Sequence, residues 1–440
     1  MQVEALLPLR GRLANSLAFA IALAVAGNVS AENQIHLALA GHYFGEASAL
    51  CERDAGSLWG VSLCGPMLFA DPKDRAVVAN QQLADGGLSV IEKAFTGTLP
   101  STINVANSAV DWGGAKWTML MWPLPKDARQ RAILLMHESW HRIQGQIGLP
   151  ATMPANNHLD RLEGRLWVQL EWRALRAALA AKGAQRRRAI ADALLFRGHR
   201  RSLFPQAEAD ERALEMNEGL AEYTGVKLAS GSDAAAEAIR KLGDGGRVES
   251  LVRSFAYTSG PAYGVLLDEA GAKWRRDLRP EDDLGALLRG ALALPQRAPA
   301  QKTAVLEAKR YGYDSLRAAE ETRNAQRRER FARYRAALVD GPVLKLPLQR
   351  MRIQFNPDEV YPLDQLGTVY PSLRIVDNWG VLTASAGALV APGFDRVTVS
   401  APLESSLRPL RGEGWTLELN EGWALVPGER RGDYALKRAN

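Results

Sequence analysis

His137-Glu138-Ser139-Trp140-His141 has the form H-E-x-x-H and predicts a helix with two histidines on one face. Residues four apart lie one helical turn apart on the same side, so the two imidazoles can point at one cation. Glu138, one step round the helix, can reach a water molecule bound to that cation. This stretch therefore predicts a metal site built on a helix.

The residues around this stretch predict where its helix begins and ends. Asp127, three residues before Gln130, is typical of an N-cap, whereas Gly145 and Pro150 are typical of the segment after a helix. The histidines continue an apolar stripe rather than a solvated face, so we expect them to point inward. The stripe contains Ile133, His137, His141 and Gln144.

A second stretch, Asn217-Glu218-Gly219-Leu220-Ala221-Glu222-Tyr223, offers a carboxylate for the same ion. Glu218 lies on a face of small and apolar residues, where an unpaired carboxylate is costly to bury and a metal ion would remove that cost. Glu222, on the same side, could accept the free N–H of a ligand histidine. The alternatives are that both glutamates are solvated, or that Glu163 or Glu171 is the third ligand.

Together the two stretches resemble the gluzincin metallopeptidases, of the thermolysin and aminopeptidase N type. The resemblance implies a zinc ion bound by His137, His141 and Glu218. It also implies that Glu138 is the general base and that Glu222 supports a ligand histidine. Zinc in such sites leaves one position open for water. The resemblance thus favours an exported zinc-dependent peptidase that acts on peptide or protein substrates.

A tyrosine further along the chain completes this resemblance. Tyr257-Thr258-Ser259-Gly260 is similar to the Y-x-x-G segment of aminopeptidases, so we expect Tyr257 to stabilise the oxyanion, although Tyr263 could do the same. The chain departs from the family in two ways. It has no G-A-M-E-N segment, and 76 residues lie between His141 and Glu218. We therefore regard it as a divergent member whose resemblance covers roughly residues 100 to 270.

Length and composition predict a folded protein of several domains, since the chain has 440 residues of which 47% are hydrophobic. We predict an α+β fold: a mainly helical metallopeptidase domain with a small N-terminal mixed sheet, followed by a C-terminal β-rich domain. The predicted parts are a signal peptide (1–31), an α/β subdomain with an edge-strand hairpin (32–125), a helical zinc-binding catalytic domain (126–340) and a β-rich accessory domain (341–440).

The first residues read as a signal peptide, with cleavage after Ala26 or Ala31, because Arg10 and Arg12 precede an apolar run that ends in small residues. We therefore expect a periplasmic or secreted protein with no integral membrane segment after cleavage. In an oxidising compartment the only two cysteines, Cys51 and Cys64, are expected to form a disulfide that contributes about 3 kcal/mol.

Period-two patterns and turn residues predict strands at 67–70 and 75–79, and a hairpin of strands 102–110 and 116–122. By resemblance, residues 117–121 are expected to be an edge strand that pairs with the substrate backbone. A plain core hairpin fits the same pattern equally well. Longer periodic segments predict helices, among them 156–181, 184–203, 206–228 and 302–338.

The net charge of +6 comes partly from arginine clusters at 186–188 and 323–335. These arginines alternate with other residues at helical spacing, as on a solvated helix face, so we expect no nucleic-acid partner. His158 and His199 are interpreted as packing residues rather than as catalytic helpers. Two other functions stay open: a non-catalytic binding or scaffold protein with a peptidase-like fold, and metal-dependent hydrolysis of a cell-wall fragment.

Overall fold

The computed structural model describes residues 35–92, 94–154, 156–298, 300–355, 360–406 and 408–438. The expected signal peptide, 1–31, lies outside these residues. The chain divides into two compact units. The first contains the described residues up to Thr152, together with Met216–Ala234 and Lys273–Pro280. The second contains the remainder.

The first unit begins with helix α1 (Leu37–Asp54), followed by a six-stranded mixed sheet and helix α2 (Ala128–Ile143). The strand order is β3-β4-β2-β1-β6-β5, with β1 and β6 parallel and the other pairs antiparallel. The N-terminal mixed sheet predicted from the sequence is therefore present. Its strands are β1 (Met67–Ala70), β2 (Ala76–Ala79), β3 (Ser89–Ile91), β4 (Ala94–Thr98), β5 (Ser108–Trp112) and β6 (Ala115–Met121).

Strand β1 is buried on both of its faces, which explains why it is a continuous apolar run rather than an alternating one. Leu68 and Ala70 point into a cluster that includes Trp117. On the other face Phe69 stacks on Phe44 of α1, with ring centroids 4.3 Å apart. The sheet is thus packed between a core on one side and helix α1 on the other.

The prediction that residues 117–121 form an edge strand is wrong. Strand β6 lies between β1 and β5 and pairs with both, so its backbone groups are already used. In the described part of the sheet, the edge next to β6 is strand β5. This strand begins at Ser108 rather than at residue 102, because a turn in which Ile103 N donates to Pro100 O comes first.

Helix α2 is fixed at both ends. Asp127 Oδ1 accepts a hydrogen bond from Gln130 N at 2.8 Å, which confirms the predicted N-cap. At the other end, Arg142 Nη2 donates to the carbonyl oxygens of Leu63 and Cys64, at 3.0 and 2.9 Å. Cys64 forms the predicted disulfide with Cys51 of α1, with Cα atoms 5.2 Å apart. The disulfide loop and the last turn of α2 are therefore held together.

The helices after residue 155 follow the predicted pattern with four main differences. A separate 3₁₀ turn at Asn157–Asp160 takes up the start of the predicted helix 156–181, which begins at Leu162. A π turn at Glu215–Gly219 interrupts the predicted helix 206–228, and a break ending at the left-handed Gly312 interrupts 302–338. The helix at Leu284–Ala291 was not predicted. No helix in the described part of the chain is long and apolar enough to cross a membrane. The helices are α3 (Leu162–Ala180), α4 (Gly183–Leu203), α5 (Ala207–Leu214), α6 (Leu220–Ser230), α7 (Ala234–Asp244), α8 (Ser254–Glu269), α9 (Leu284–Ala291), α10 (Gln301–Ala308) and α11 (Tyr313–Arg335).

The C-terminal part of the second unit is β-rich, as predicted. Two sheets, with strand orders β17-β18-β7-β14-β13-β10-β9 and β15-β16-β12-β11-β8, share one hydrophobic cluster to which Leu346 and Leu382 belong. The strands are β7 (Val343–Pro347), β8 (Arg352–Phe355), β9 (Tyr361–Pro362), β10 (Thr368–Tyr370), β11 (Leu373–Asp377), β12 (Gly380–Ala384), β13 (Ala388–Val390), β14 (Arg396–Ser400), β15 (Leu410–Gly412), β16 (Trp415–Leu419), β17 (Trp423–Pro427) and β18 (Tyr434–Arg438).

Candidate metal centre

Helices α2 and α6 pack closely in the first unit, and a glycine makes this approach possible. A Cβ atom built on Gly225 of α6 would lie 2.5 Å from the carbonyl oxygen of Ile133 in α2. Real Cβ atoms do not come that close to a backbone oxygen, so only glycine fits here without a shift. The contact brings the H-E-x-x-H face of α2 against the segment that carries Glu218 and Glu222.

Three side chains predicted as metal ligands meet at this contact. His137 Nε2 and His141 Nε2 are 3.2 Å apart, and Glu218 Oε2 lies 3.3 Å from the first and 3.5 Å from the second. Glu218 belongs to the π turn that precedes α6. All three side chains are largely buried; that of His141, at 14%, is the most exposed. The cluster can hold a metal ion.

The orientation of the His137 ring is set by Glu222. His137 Nδ1 and Glu222 Oε2 are 2.7 Å apart, and because a carboxylate only accepts, Nδ1 carries the proton and donates it. In the neutral ring the lone pair therefore lies on Nε2, the atom that faces Glu218. This is the supporting role predicted for Glu222.

The His141 ring is held in the same tautomer by a different residue. Its Nδ1 lies 2.9 Å from Gln144 Oε1, and Gln144 Nε2 donates to Pro150 O at 3.0 Å and to Asn217 Oδ1 at 2.9 Å. The two acceptors identify the nitrogen of the Gln144 amide, so its oxygen faces His141. His141 consequently donates from Nδ1 and presents a lone pair on Nε2.

When both rings are neutral, their two Nε2 lone pairs and the Glu218 carboxylate oxygen thus converge on one point. Such an arrangement is repulsive unless a cation or a proton occupies the centre. Ligand atoms at the corners of a tetrahedral zinc site with bonds of about 2.0–2.1 Å are about 3.3 Å apart. The separations of 3.2, 3.3 and 3.5 Å match that edge length. The residues present therefore fit a small divalent cation suited to nitrogen and oxygen ligands.

The electrostatics of the cluster agree with this fit. Burial on its own would lower the pKa of His137, but hydrogen bonds to Glu218 and Glu222 outweigh it and raise the pKa to about 10. Without a metal ion, a proton on His137 Nε2 therefore supplies the positive charge that the carboxylates attract to this position. Burial raises the pKa of Glu138, whose Oε1 lies 4.0 Å from His137 Nε2. Glu138 Oε2 is buried and has no hydrogen-bond partner among the described residues, so it is an acceptor available to a ligand.

Glu163 and Glu171, the alternative third ligands, lie in the second unit and are hydrogen-bonded to other residues there. Glu163 accepts from Trp167 Nε1 at 3.0 Å and from Arg317 Nη1 at 3.2 Å. Glu171 is fully buried and accepts from Arg197 and from the hydroxyl of Tyr263, at 3.3 and 2.6 Å. Both carboxylates are therefore explained by local pairing, and Tyr263 is a packed residue rather than a candidate for the oxyanion.

The remaining candidates also lie in the second unit. Tyr257 is half-buried in α8, and its catalytic role stays a prediction. His158 Nε2 lies 2.9 Å from Glu211 Oε1, and His199 contacts the ring of Trp167 edge-on at 4.4 Å between centroids. These contacts are consistent with the packing roles interpreted from the sequence.

Sequence reasoning missed Gln144 and Asn217 as parts of the site. Gln144 was placed in the inward-facing stripe of α2, and Asn217 in the second stretch. Neither residue was assigned a role at the metal site. A buried glutamine one helical turn after a ligand histidine is a signal that could have identified the first.

Comparison with models of known protein families, with curated proteins and with solved structures gave no match to this chain. Its function therefore has to be inferred from the chemistry of these side chains.

Proposed function

We propose that the protein is an exported zinc-dependent hydrolase that cleaves peptide bonds. The observation that carries this proposal is the convergence of His137 Nε2, His141 Nε2 and Glu218 Oε2. Beside them lies Glu138 Oε2, which accepts no hydrogen bond from the residues that the structure describes. Three protein ligands with a carboxylate at their side are the composition of a catalytic zinc site, which keeps one position open.

In this proposal His137, His141 and Glu218 hold the zinc ion, and Glu222 and Gln144 fix the two rings. When bound, zinc supplies a Lewis acid that polarises the scissile carbonyl and acidifies water. Glu138 accepts the proton of the attacking water and then donates it to the departing amine. Its burial supports this shuttle, because burial raises the pKa of Glu138 and lets the carboxyl group hold a proton between the two steps.

Two further parts of the proposal rest on the sequence. Tyr257 is the candidate that donates a hydrogen bond to the oxyanion, because its Y-x-x-G context resembles that of aminopeptidases. Export to the periplasm or the medium is supported by the N-terminal pattern and by the Cys51–Cys64 disulfide, since such bonds persist in oxidising compartments.

The proposal is tested on the full mature chain by elemental analysis combined with a mixed peptide library read by mass spectrometry. We expect about one zinc ion per chain, as for a single three-ligand site, and cleavage that chelation abolishes and added zinc restores. Zinc binding without cleavage of any peptide would overturn the peptidase assignment and favour a scaffold. A parallel assay on cell-wall fragments tests the alternative that the protein is a metal-dependent hydrolase of cell-wall material. A chain that binds no divalent cation would contradict the proposal as a whole.

A further inference from the structure

We propose that Gln144 is a positioning residue of the metal site, which fixes the tautomer of His141 and links it, through Asn217, to Glu218. This inference rests on the proposed zinc site but not on the identity of the substrate. It concerns a residue outside both sequence stretches that predicted the metal ligands.

The Gln144 amide has no freedom to turn over. Gln144 is 3% exposed and begins the short 3₁₀ turn that follows α2. Its nitrogen donates to two oxygens, Pro150 O and Asn217 Oδ1, neither of which can donate in return in this arrangement. A flipped amide would place its oxygen against both of them and its nitrogen against His141 Nδ1. The flip therefore loses two hydrogen bonds and creates oxygen–oxygen repulsion in a buried place.

This fixed amide selects one tautomer of His141. A neutral imidazole carries its proton on either nitrogen, and only the Nδ1–H form leaves a lone pair on Nε2 for a metal. Without an acceptor at Nδ1, a proton on Nε2 would point at His137 Nε2 and Glu218 Oε2, which are both acceptors. That tautomer would place a proton at the centre of the cluster and oppose the metal.

The same amide connects two ligands that come from different segments. Asn217, which accepts from Gln144, has its Nδ2 within 3.3 Å of Glu218 Oε1. Gln144 thus contacts the second histidine of α2 directly and the carboxylate of the π turn through one intervening side chain. A change at Gln144 disturbs both contacts at once.

A neutral acceptor suits this position better than an acid would. Glu138, Glu218 and Glu222 already place three carboxylates around the two histidines, and all three are buried. A fourth carboxylate at position 144 would add a buried like charge beside them, which is costly. An amide supplies the acceptor for Nδ1 without that charge.

The test measures metal affinity rather than catalysis. Wild-type protein, Gln144→Ala and Gln144→Met are titrated with Zn²⁺ against a chromophoric chelator, and Co²⁺ absorption reports the ligand set. We expect both variants to bind zinc about 10–100-fold more weakly, as is found when a partner of a ligand histidine is removed. Gln144→Met keeps the length of the side chain, so it stays informative if the alanine variant folds poorly.

Asn80→Ala is the control in the same unit. The exposed Asn80 also makes two side-chain hydrogen bonds, accepting from Met67 N at 2.8 Å and donating to Gly65 O at 3.0 Å, and neither joins it to a metal ligand. We expect the zinc affinity of Asn80→Ala to stay within about threefold of wild type, because this substitution removes no hydrogen-bond partner of a metal ligand. In ¹⁵N-histidine spectra of the zinc-loaded protein, the Nδ1 proton of His141 should exchange with water faster in Gln144→Ala than in wild type or in Asn80→Ala.

The outcomes separate this inference from the proposed function. If the wild-type chain binds no zinc, the metal site itself is wrong. If it binds zinc and both Gln144 variants bind it equally well, only the role of Gln144 is overturned. An equal loss in Asn80→Ala would also overturn that role, since the effect would then be general destabilisation.

Discussion

His137 Nδ1 lies 2.7 Å from Glu222 Oε2, although 85 residues separate the two along the chain. This contact joins helix α2 to helix α6 behind the candidate metal centre and leaves Nε2 of His137 facing His141 and Glu218. It also makes the carboxylate of Glu222 part of the electrostatic environment of that centre.

Replacing Glu222 should weaken metal binding. Glu222→Ala leaves the His137 Nδ1 proton without its acceptor, so we expect zinc affinity to fall about 10–100-fold. The measurement is competition with a chelator. Glu52→Ala, at an exposed position of α1 in the same unit, is the control and should bind zinc like wild type. Equal affinities for Glu222→Ala and wild type would show that the contact does not support the ligand.

Replacing Glu138 should abolish catalysis without loss of the ion. Glu138→Gln keeps the size of the side chain but removes the base, which contributes about 10²–10⁴-fold in rate. We expect bound zinc to be unchanged and kcat on the best library peptide to fall by that factor. Zinc content by elemental analysis is measured on the same samples. Hydrolysis at the wild-type rate would contradict the proposed mechanism.

Gly225→Ala tests the close contact of α2 and α6. The added methyl group would lie 2.5 Å from Ile133 O, so the helices must separate, and we expect a loss of about 1–3 kcal/mol in the free energy of unfolding. Gly45→Ala, on an exposed part of α1 with no atom near its Cβ position, should instead stabilise the protein by about 0.5–1 kcal/mol. Urea unfolding measures both. Equal changes in the free energy of unfolding for the two substitutions would show that the helices accommodate a methyl group at Gly225 without loss of stability.

A buried ion-pair cluster in the second unit should make stability depend on pH. Asp283 Oδ2 accepts from Arg197 and Arg201 at 2.8 and 2.9 Å. Burial alone would raise the pKa of Asp283, but the two arginines outweigh it and lower the pKa well below its usual value. This stabilisation is therefore complete above the unfolded pKa, near 4, and is lost as the pH falls towards the lowered folded value.

Asp283→Asn removes the charge but keeps an N-cap oxygen for Ala286 N, so the helix start is preserved. We expect a loss of about 1.5–3 kcal/mol at pH 7 and a smaller dependence of stability on pH between about 5 and 2. Denaturant unfolding at several pH values measures this. Glu404→Gln, at an exposed position, is the control. A pH dependence in Asp283→Asn that equals that of wild type would contradict this account.

The sequence predicted the ligand cluster because each half of it is a local pattern, and the resemblance to the gluzincins joined the two halves. His137 and His141 are four residues apart on one helix, and Glu218 and Glu222 repeat that spacing on the second segment. The patterns also predicted the Asp127 N-cap, the disulfide and the change to strands after residue 341. These are features that neighbouring residues determine.

What the sequence failed to predict depends on partners far along the chain. Residues 117–121 alternate like any half-buried strand, and only the pairing of β6 with β1 shows that they are not at an edge. The break at the π turn was not predicted, because Leu214, Glu218 and Ala221 continue the helical spacing of apolar and small residues across it. Gln144 was missed as a partner of His141 because its other contacts, Pro150 O and Asn217 Oδ1, become neighbours only after folding.

The link between Arg142 and the disulfide loop has a practical consequence for producing this protein. The guanidinium at the end of α2 depends on two carbonyl groups that the cystine keeps in place. A chain made in a reducing cytosol lacks that cross-link, so the loop must present the two carbonyl acceptors to Arg142 without the disulfide. We therefore expect recombinant material from an oxidising host, or from refolding with a disulfide isomerase, to take up metal more completely than material from an ordinary cytosolic preparation.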